Sequence, residues 1–138
     1  MIQINRNLKL VDSNILIDFF LKTKVEQQFD LVFSKPIYLN LTIFTEVINF
    51  IQNKVSFKDS FESASIIIDH PNRFLFLPAT PEDLILAKII NQKYFKSKVG
   101  FSDSLILAQA QNYGLGLLSQ DLRMQIYPEV ITTNPFYE

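Results

Sequence analysis

Short apolar runs of four to six residues alternate along this chain with longer stretches of helical periodicity, and that alternation leaves few architectures open. The runs LKLVDS (8–13), IYLN (37–40), FLFL (74–77), LGLLS (115–119) and EVITT (129–133) read as strands. Between them, helices are expected over 14–22, 25–34 (closed by Lys35-Pro36), 42–55 (capped by Thr42), 57–70 (stopped at Pro71, with His70 capping its end) and from Thr80-Pro81-Glu82-Asp83 to about Phe95. A further helix over 103–113 is capped by Ser102 and closed by Gly114, and LRMQIY is a short helix or turn. The pattern predicts an α/β fold: a three-layer α/β/α sandwich around a mostly parallel sheet. With 138 residues and no linker, repeat or low-complexity segment, residues 1–138 make a single domain.

Composition removes several chemistries. The absence of Cys excludes disulfides, thiolate metal sites and Cys nucleophiles, and the single His70 excludes a multi-histidine zinc site. The N-terminus lacks the apolar core of a signal peptide and no apolar run reaches membrane-spanning length, so a cytoplasmic protein is expected. A net charge of −1 gives no overall sign of a nucleic-acid partner, although clustered acids would mask local basic patches. The three glycines, 100, 114 and 116, form no phosphate-cradling motif.

Four carboxylates stand out against that background. In a parallel sheet every strand end that feeds a helix lies on one side. Asp12 ends the first strand, Glu46 lies one turn into the helix after IYLN, and Asp103 is in the first turn of its helix. The 18 residues from Asp103 to Asp121 match a trip out along that helix and back along LGLLS. All four are thus expected at one edge. Crowded carboxylates stay ionised together only around a cation, and oxygen donors suit Mg²⁺ or Mn²⁺.

Each acid also has a plainer reading. Asp103 complements a helix N-terminus and Asp121 fits a turn. Glu46 borders an apolar stripe of Ile43, Val47 and Phe50, and Asp12 ends a run too apolar to need it for solubility. Asp18, six residues past Asp12, is expected away from the site, in solvent or in helix pairing. Lys88, Lys93, Lys96 and Lys98, with Tyr94 and Phe95 between them, are either a solvated helix face or a phosphate-contacting rim with aromatics for base stacking.

The segments LVDSNILIDFF, LTIFTEVINF and GFSDSLILAQAQNYGLGLLSQDLRM resemble, in order and over essentially the whole chain, the motifs of the PIN-domain ribonucleases, especially the VapC-type toxins of toxin–antitoxin pairs. The resemblance implies an acidic metal site of Asp12, Glu46, Asp103 and Asp121. Ser13 stands where the family often has Thr, Asn14 at the Asn that orients the first Asp, and Ser119 at a Ser/Thr that helps hold the site. Arg123 and Met124 depart from the pattern: many relatives carry an acid and a Phe there, so no fifth acidic ligand is carried over and a second ion would be weakly held.

The expected activity is a metal-dependent endoribonuclease, using one or two Mg²⁺ or Mn²⁺ ions, with Glu46 as a ligand or as the group that positions or deprotonates water. Lys93, Lys96 and Lys98 are candidate RNA contacts. The expected partners are RNA, a second copy of the chain in a homodimer, and an antitoxin whose helix lies in an apolar groove near the first helices and whose segment covers the acids. The alternatives are a non-catalytic PIN-like module that binds RNA or protein, and a phosphoacceptor receiver domain. The receiver requires paired acids after the first strand and an Asp after the third. Here Ser13 follows Asp12, and FLFL leads into Pro78 and Ala79.

Overall fold

Five short strands, β1 (Lys9–Val11), β2 (Ile37–Leu39), β3 (Phe74–Phe76), β4 (Gly116–Leu118) and β5 (Thr132–Thr133), form one parallel sheet in the order β3-β2-β1-β4-β5. They are seen in a computed structural model that describes residues 3–24 and 26–137. Among the described residues six α-helices connect them: α1 (Ser13–Leu21), α2 (Glu26–Phe33), α3 (Leu41–Lys54), α4 (Phe57–Asp69), α5 (Pro81–Tyr94) and α6 (Phe101–Tyr113). Val25, the expected first residue of the second helix, lies outside the described residues. Strand order reverses between β1 and β4. The helices pack in two groups, α1, α3 and α4 together and α5 with α6, and with the right-handed crossovers that parallel strands take these groups cover opposite faces and give three layers.

The sheet is central because its sequence is apolar on both sides. Leu10, Val11, Ile37, Leu39 and Leu117 are all buried, as strands covered on both faces must be. Tyr38 is buried too, and its hydroxyl accepts a 3.0 Å bond from the Asn5 backbone N–H. On α3 the buried stripe is Ile43, Val47 and Ile51. The expected Phe50 turns outward, because positions four apart stay on one face of a helix and position 50 has rotated off it.

Helix starts differ from expectation at two places. Asn40, read as the end of a strand, caps α3 by accepting from the Ile43 N–H at 2.7 Å, so Thr42 is inside the helix. Gly100 stands at the start of α6, which moves Ser102 inside it and sets Asp103 at the third helical position. Thr80 forms the expected capping box with Asp83, His70 closes α4, and Gly114 ends α6 at φ +68° in the left-handed region. The last strand is shorter than EVITT, and Leu122–Ile126 is a 3₁₀ turn. Among the described residues no helix is long and apolar enough to cross a membrane.

Candidate metal centre

Asp12 follows β1 and caps α1, its Oδ1 accepting from the Ser13 N–H at 2.7 Å. Its other oxygen accepts from Ser119 Oγ at 2.7 Å and from Asn14 Nδ2 at 3.5 Å. Ser119 stands at the end of β4, immediately beside β1 in the sheet, at the point where strand order reverses. The Ser119 hydroxyl also accepts from Asn14 Nδ2 (3.2 Å) and from the Asp121 N–H (3.0 Å). A single buried hydroxyl thus ties the first acid to the last.

Asn14 completes the brace, because its Oδ1 accepts from the Gln120 N–H at 3.0 Å. Gln120 in turn donates through Nε2 to Asp18 at 2.6 Å. Asp18 is therefore a support for the turn that carries Asp121, and not the solvated or helix-pairing residue that its spacing from Asp12 suggests. The signal that places it is tertiary: Asp18 is one turn on from Asn14 and shares its face of α1, so both reach the same turn. Nothing in the sequence alone marks Gln120 or Asp18 as functional.

Glu46, one turn into α3, accepts from Ser13 Oγ through Oε2 at 3.1 Å, while its Oε1 is buried with no hydrogen-bond partner. A buried carboxylate oxygen left in that state costs on the order of 1–3 kcal/mol. Asp103 sits in the first turn of α6, partly buried. Asp121 is held differently: Arg123 Nε lies 3.0 and 3.1 Å from its two oxygens, Nη2 lies 2.5 Å from Oδ2, and the Arg123 N–H donates to Oδ1 at 2.9 Å. Lys93, Lys96 and Lys98 are exposed, and Lys93 Nζ lies 5.3 Å from the Tyr94 ring centroid. Lys98 enters the left-handed region at φ 65°, and its carbonyl accepts from Arg123 Nη1 at 3.1 Å.

The electrostatics record the crowding. Burial pushes the Asp12 carboxyl up, against the lowering effect of the Ser119 and Ser13 bonds, and Asp103 and Asp121 push it further. Glu46 is raised first by burial and then by Asp12 and Asp103, with the Ser13 bond opposing. Asp103 is raised by burial and by Asp121, partly offset by Arg123. Asp121 alone is lowered, by its bonds to Arg123. Three of the four carboxyls thus hold protons more tightly than is usual for their type, chiefly because they are buried and secondarily because other acids lie near them.

Such a set fits a hard divalent ion in its chemistry: all donors are oxygens, and one of them is buried and unpartnered. The arrangement is only part-assembled. Among the described residues no group of three or more His, Asp or Glu is gathered to hold a metal ion, and both oxygens of Asp121 are taken by Arg123. Among the described residues, Asp121 is the one of these four acids in an ion pair; Asp12, Glu46 and Asp103 are in none.

The profile of the PIN domain family matches residues 9–130 of this chain. No curated protein sequence matches. Solved structures do: VapBC-1 from nontypeable Haemophilus influenzae aligns at a TM-score of 0.74 and 14% identity, over 94% of this chain and 99% of that one. VapBC2 from Rickettsia felis, bound to a DNA fragment from its promoter, gives 0.73 at 12%, over 91% and 97%. DNA-bound VapBC from Salmonella typhimurium gives 0.68 at 21%, over 91% and 97%. At these identities the likeness is one of fold, and it agrees with the parallel five-stranded sandwich.

Proposed function

We propose that this chain, which belongs to the PIN domain family, is a metal-dependent endoribonuclease acting as the toxin of a toxin–antitoxin pair. The observation that carries the proposal is the buried, unpartnered Glu46 oxygen beside Asp12 and Asp103, whose pKa values are raised. A Mg²⁺ or Mn²⁺ ion bound there supplies a water of lowered pKa and positive charge for the scissile phosphate. Asp12, Asp103 and Glu46 would hold the ion, with Asp121 at the margin.

The chain's own residues divide the remaining work. Ser119 and Asn14 fix the Asp12 carboxylate from the side of β4, so that it need not reorganise when charge develops. Glu46, with one oxygen anchored by Ser13 and the other unpartnered, would serve either as a ligand or as the group that orients the attacking water or takes its proton. With no Cys and with His70 at the far end of α4, direct hydrolysis needs no covalent enzyme intermediate. The exposed Lys93, Lys96 and Lys98, which precede the helix carrying Asp103, would contact RNA phosphates and hold the strand.

An antitoxin partner is supported by a groove of about 980 Å³ beside α1, α2 and α4, where Phe19, Phe20, Phe29, Phe33 and Ile66 supply apolar lining and Lys22, Lys24, Glu26, Asp30, Asp59 and Glu62 supply charge. A helix with apolar residues three and four apart would fill it. The matched bacterial structures are VapBC complexes, and a partner of that kind is consistent with this groove. Exposed Phe57, Phe61, Ile85 and Ile89 leave further apolar surface for a second copy of the chain.

The test is cleavage of a mixed single-stranded RNA by the purified chain. Activity should vanish on chelation and return with Mn²⁺. Tight RNA binding with no cleavage under any divalent ion would replace the enzyme with a binding module.

A further inference from the structure

Arg123 is the feature that the proposed reaction does not use. It is two residues past Asp121 at the opening of a 3₁₀ turn, and its guanidinium is bound on two sides. Nε and Nη2 face the Asp121 carboxylate, and Nη1 donates to the Lys98 carbonyl in the loop just before α6. That loop leads into the helix carrying Asp103, so Arg123 bridges the two segments that deliver the two aspartates. Its charge reaches beyond Asp121: it lowers the Asp103 carboxyl and is itself acted on by Asp103 and Asp12.

We propose that Arg123 is a tethered cation that competes with the divalent ion for Asp121, so that this chain regulates its own metal occupancy. The inference rests on the acidic site being a metal site and adds a role for a residue that supplies no ligand. A planar guanidinium that engages both carboxylate oxygens occupies acceptor sites that an ion would use and lowers the charge offered to it, and the two cations repel. Metal therefore enters either with Asp121 uncoordinated or after Arg123 swings out. The Arg123 side chain is 47% exposed, so swinging out is open to it, and water screens the pair enough for the exchange to be reversible. Arg123 is a positioning residue in this account; the displaced guanidinium need not touch RNA.

The experiment is Mn²⁺ binding by calorimetry to the wild-type chain, Arg123→Ala, Arg123→Lys, Asp121→Asn and the double variant of Asp121→Asn with Arg123→Ala, with circular dichroism confirming the fold of each. Arg123→Ala should bind Mn²⁺ roughly three- to tenfold more tightly, with Arg123→Lys between it and wild type, because lysine keeps the charge and loses the two-pronged contact. In the Asp121→Asn background, removing Arg123 should change affinity less, since the contested ligand is gone. Equal affinity in wild type and Arg123→Ala would overturn the proposal while leaving the metal site standing. Weaker binding in Arg123→Ala would also overturn it. No Mn²⁺ binding by any variant would remove both this proposal and the metal site beneath it.

Discussion

Ser119 Oγ donates to Asp12 Oδ2 at 2.7 Å, joining the ends of two adjacent parallel strands across 107 positions of sequence. The bond is buried, and the same hydroxyl accepts from the Asp121 N–H. Ser119→Ala would leave a partly buried N–H and a buried carboxylate oxygen poorly partnered. It should destabilise the chain by about 1–3 kcal/mol and weaken Mn²⁺ binding. A chemical denaturation midpoint and a Mn²⁺ isotherm that both match wild type would show that the hydroxyl does not organise the site.

Asp103 behaves oppositely. It is raised by burial and by Asp121, and it supplies none of the bonds that fix Asp12. Asp103→Asn should therefore raise the melting temperature slightly in the absence of metal, the effect being reduced by solvent screening and by the lost attraction to Arg123. The same variant should lose the further stabilisation that Mn²⁺ gives the wild type. A lower melting temperature without metal would mean that Asp103 is a structural helix-start residue.

The raised carboxyls give a pH dependence with a definite sign. Asp12, Glu46 and Asp103 hold protons more tightly folded than unfolded, chiefly because of burial. Ionising them costs stability, a cost that is absent below the ordinary carboxylate pKa and complete above the raised folded values. Asp121 is lowered and works the other way: its contribution is present above its ordinary pKa and is lost as pH falls through the folded value. Burial of Asp12, Glu46 and Asp103 sets the expected direction: the metal-free melting temperature should rise as pH is lowered from neutral towards the ordinary carboxylate range. Mn²⁺ should raise it more at neutral pH than at the acid end. Thermal melts across that range check both, and a metal-free profile that falls steadily on acidification would contradict the crowded-site account.

Lys93, Lys96 and Lys98 are exposed on the approach to the helix that carries Asp103. Replacing all three with Gln should weaken RNA binding and flatten its salt dependence by up to about three in log–log slope, one for each phosphate no longer neutralised. Fluorescence anisotropy at several salt concentrations measures it. An unchanged slope would return the lysines to an ordinary solvated face.

Much of this architecture is legible in the sequence because the governing signals are local or periodic. The five apolar runs and the placement of acids just past strands or early in helices are enough to order the layers. Gly114 and the Thr80 capping box announce themselves by residue type. Asn40 is harder, since a residue ending a strand and one starting a helix occupy the same position when no loop separates them. The supports around Asp12 are half visible: Asn14 and Ser119 through resemblance, Gln120 and Asp18 not at all, because their bond spans 102 positions. Arg123 is visible only as a missing acid. That it clamps Asp121 depends on the geometry of a 3₁₀ turn, which spacing alone does not supply.

If the acidic edge cleaves RNA with a divalent ion, the Asp12 carboxylate is indispensable to it. Cleavage of one labelled single-stranded RNA by wild type and Asp12→Asn, at equal protein and Mn²⁺ concentration with both folds verified, tests it most directly. Wild type should cleave in a metal-dependent way, and Asp12→Asn should lose at least about a hundredfold, as expected when a group that holds the catalytic charge is neutralised. Equal cleavage by both proteins would contradict it, because the activity would then arise elsewhere in the molecule.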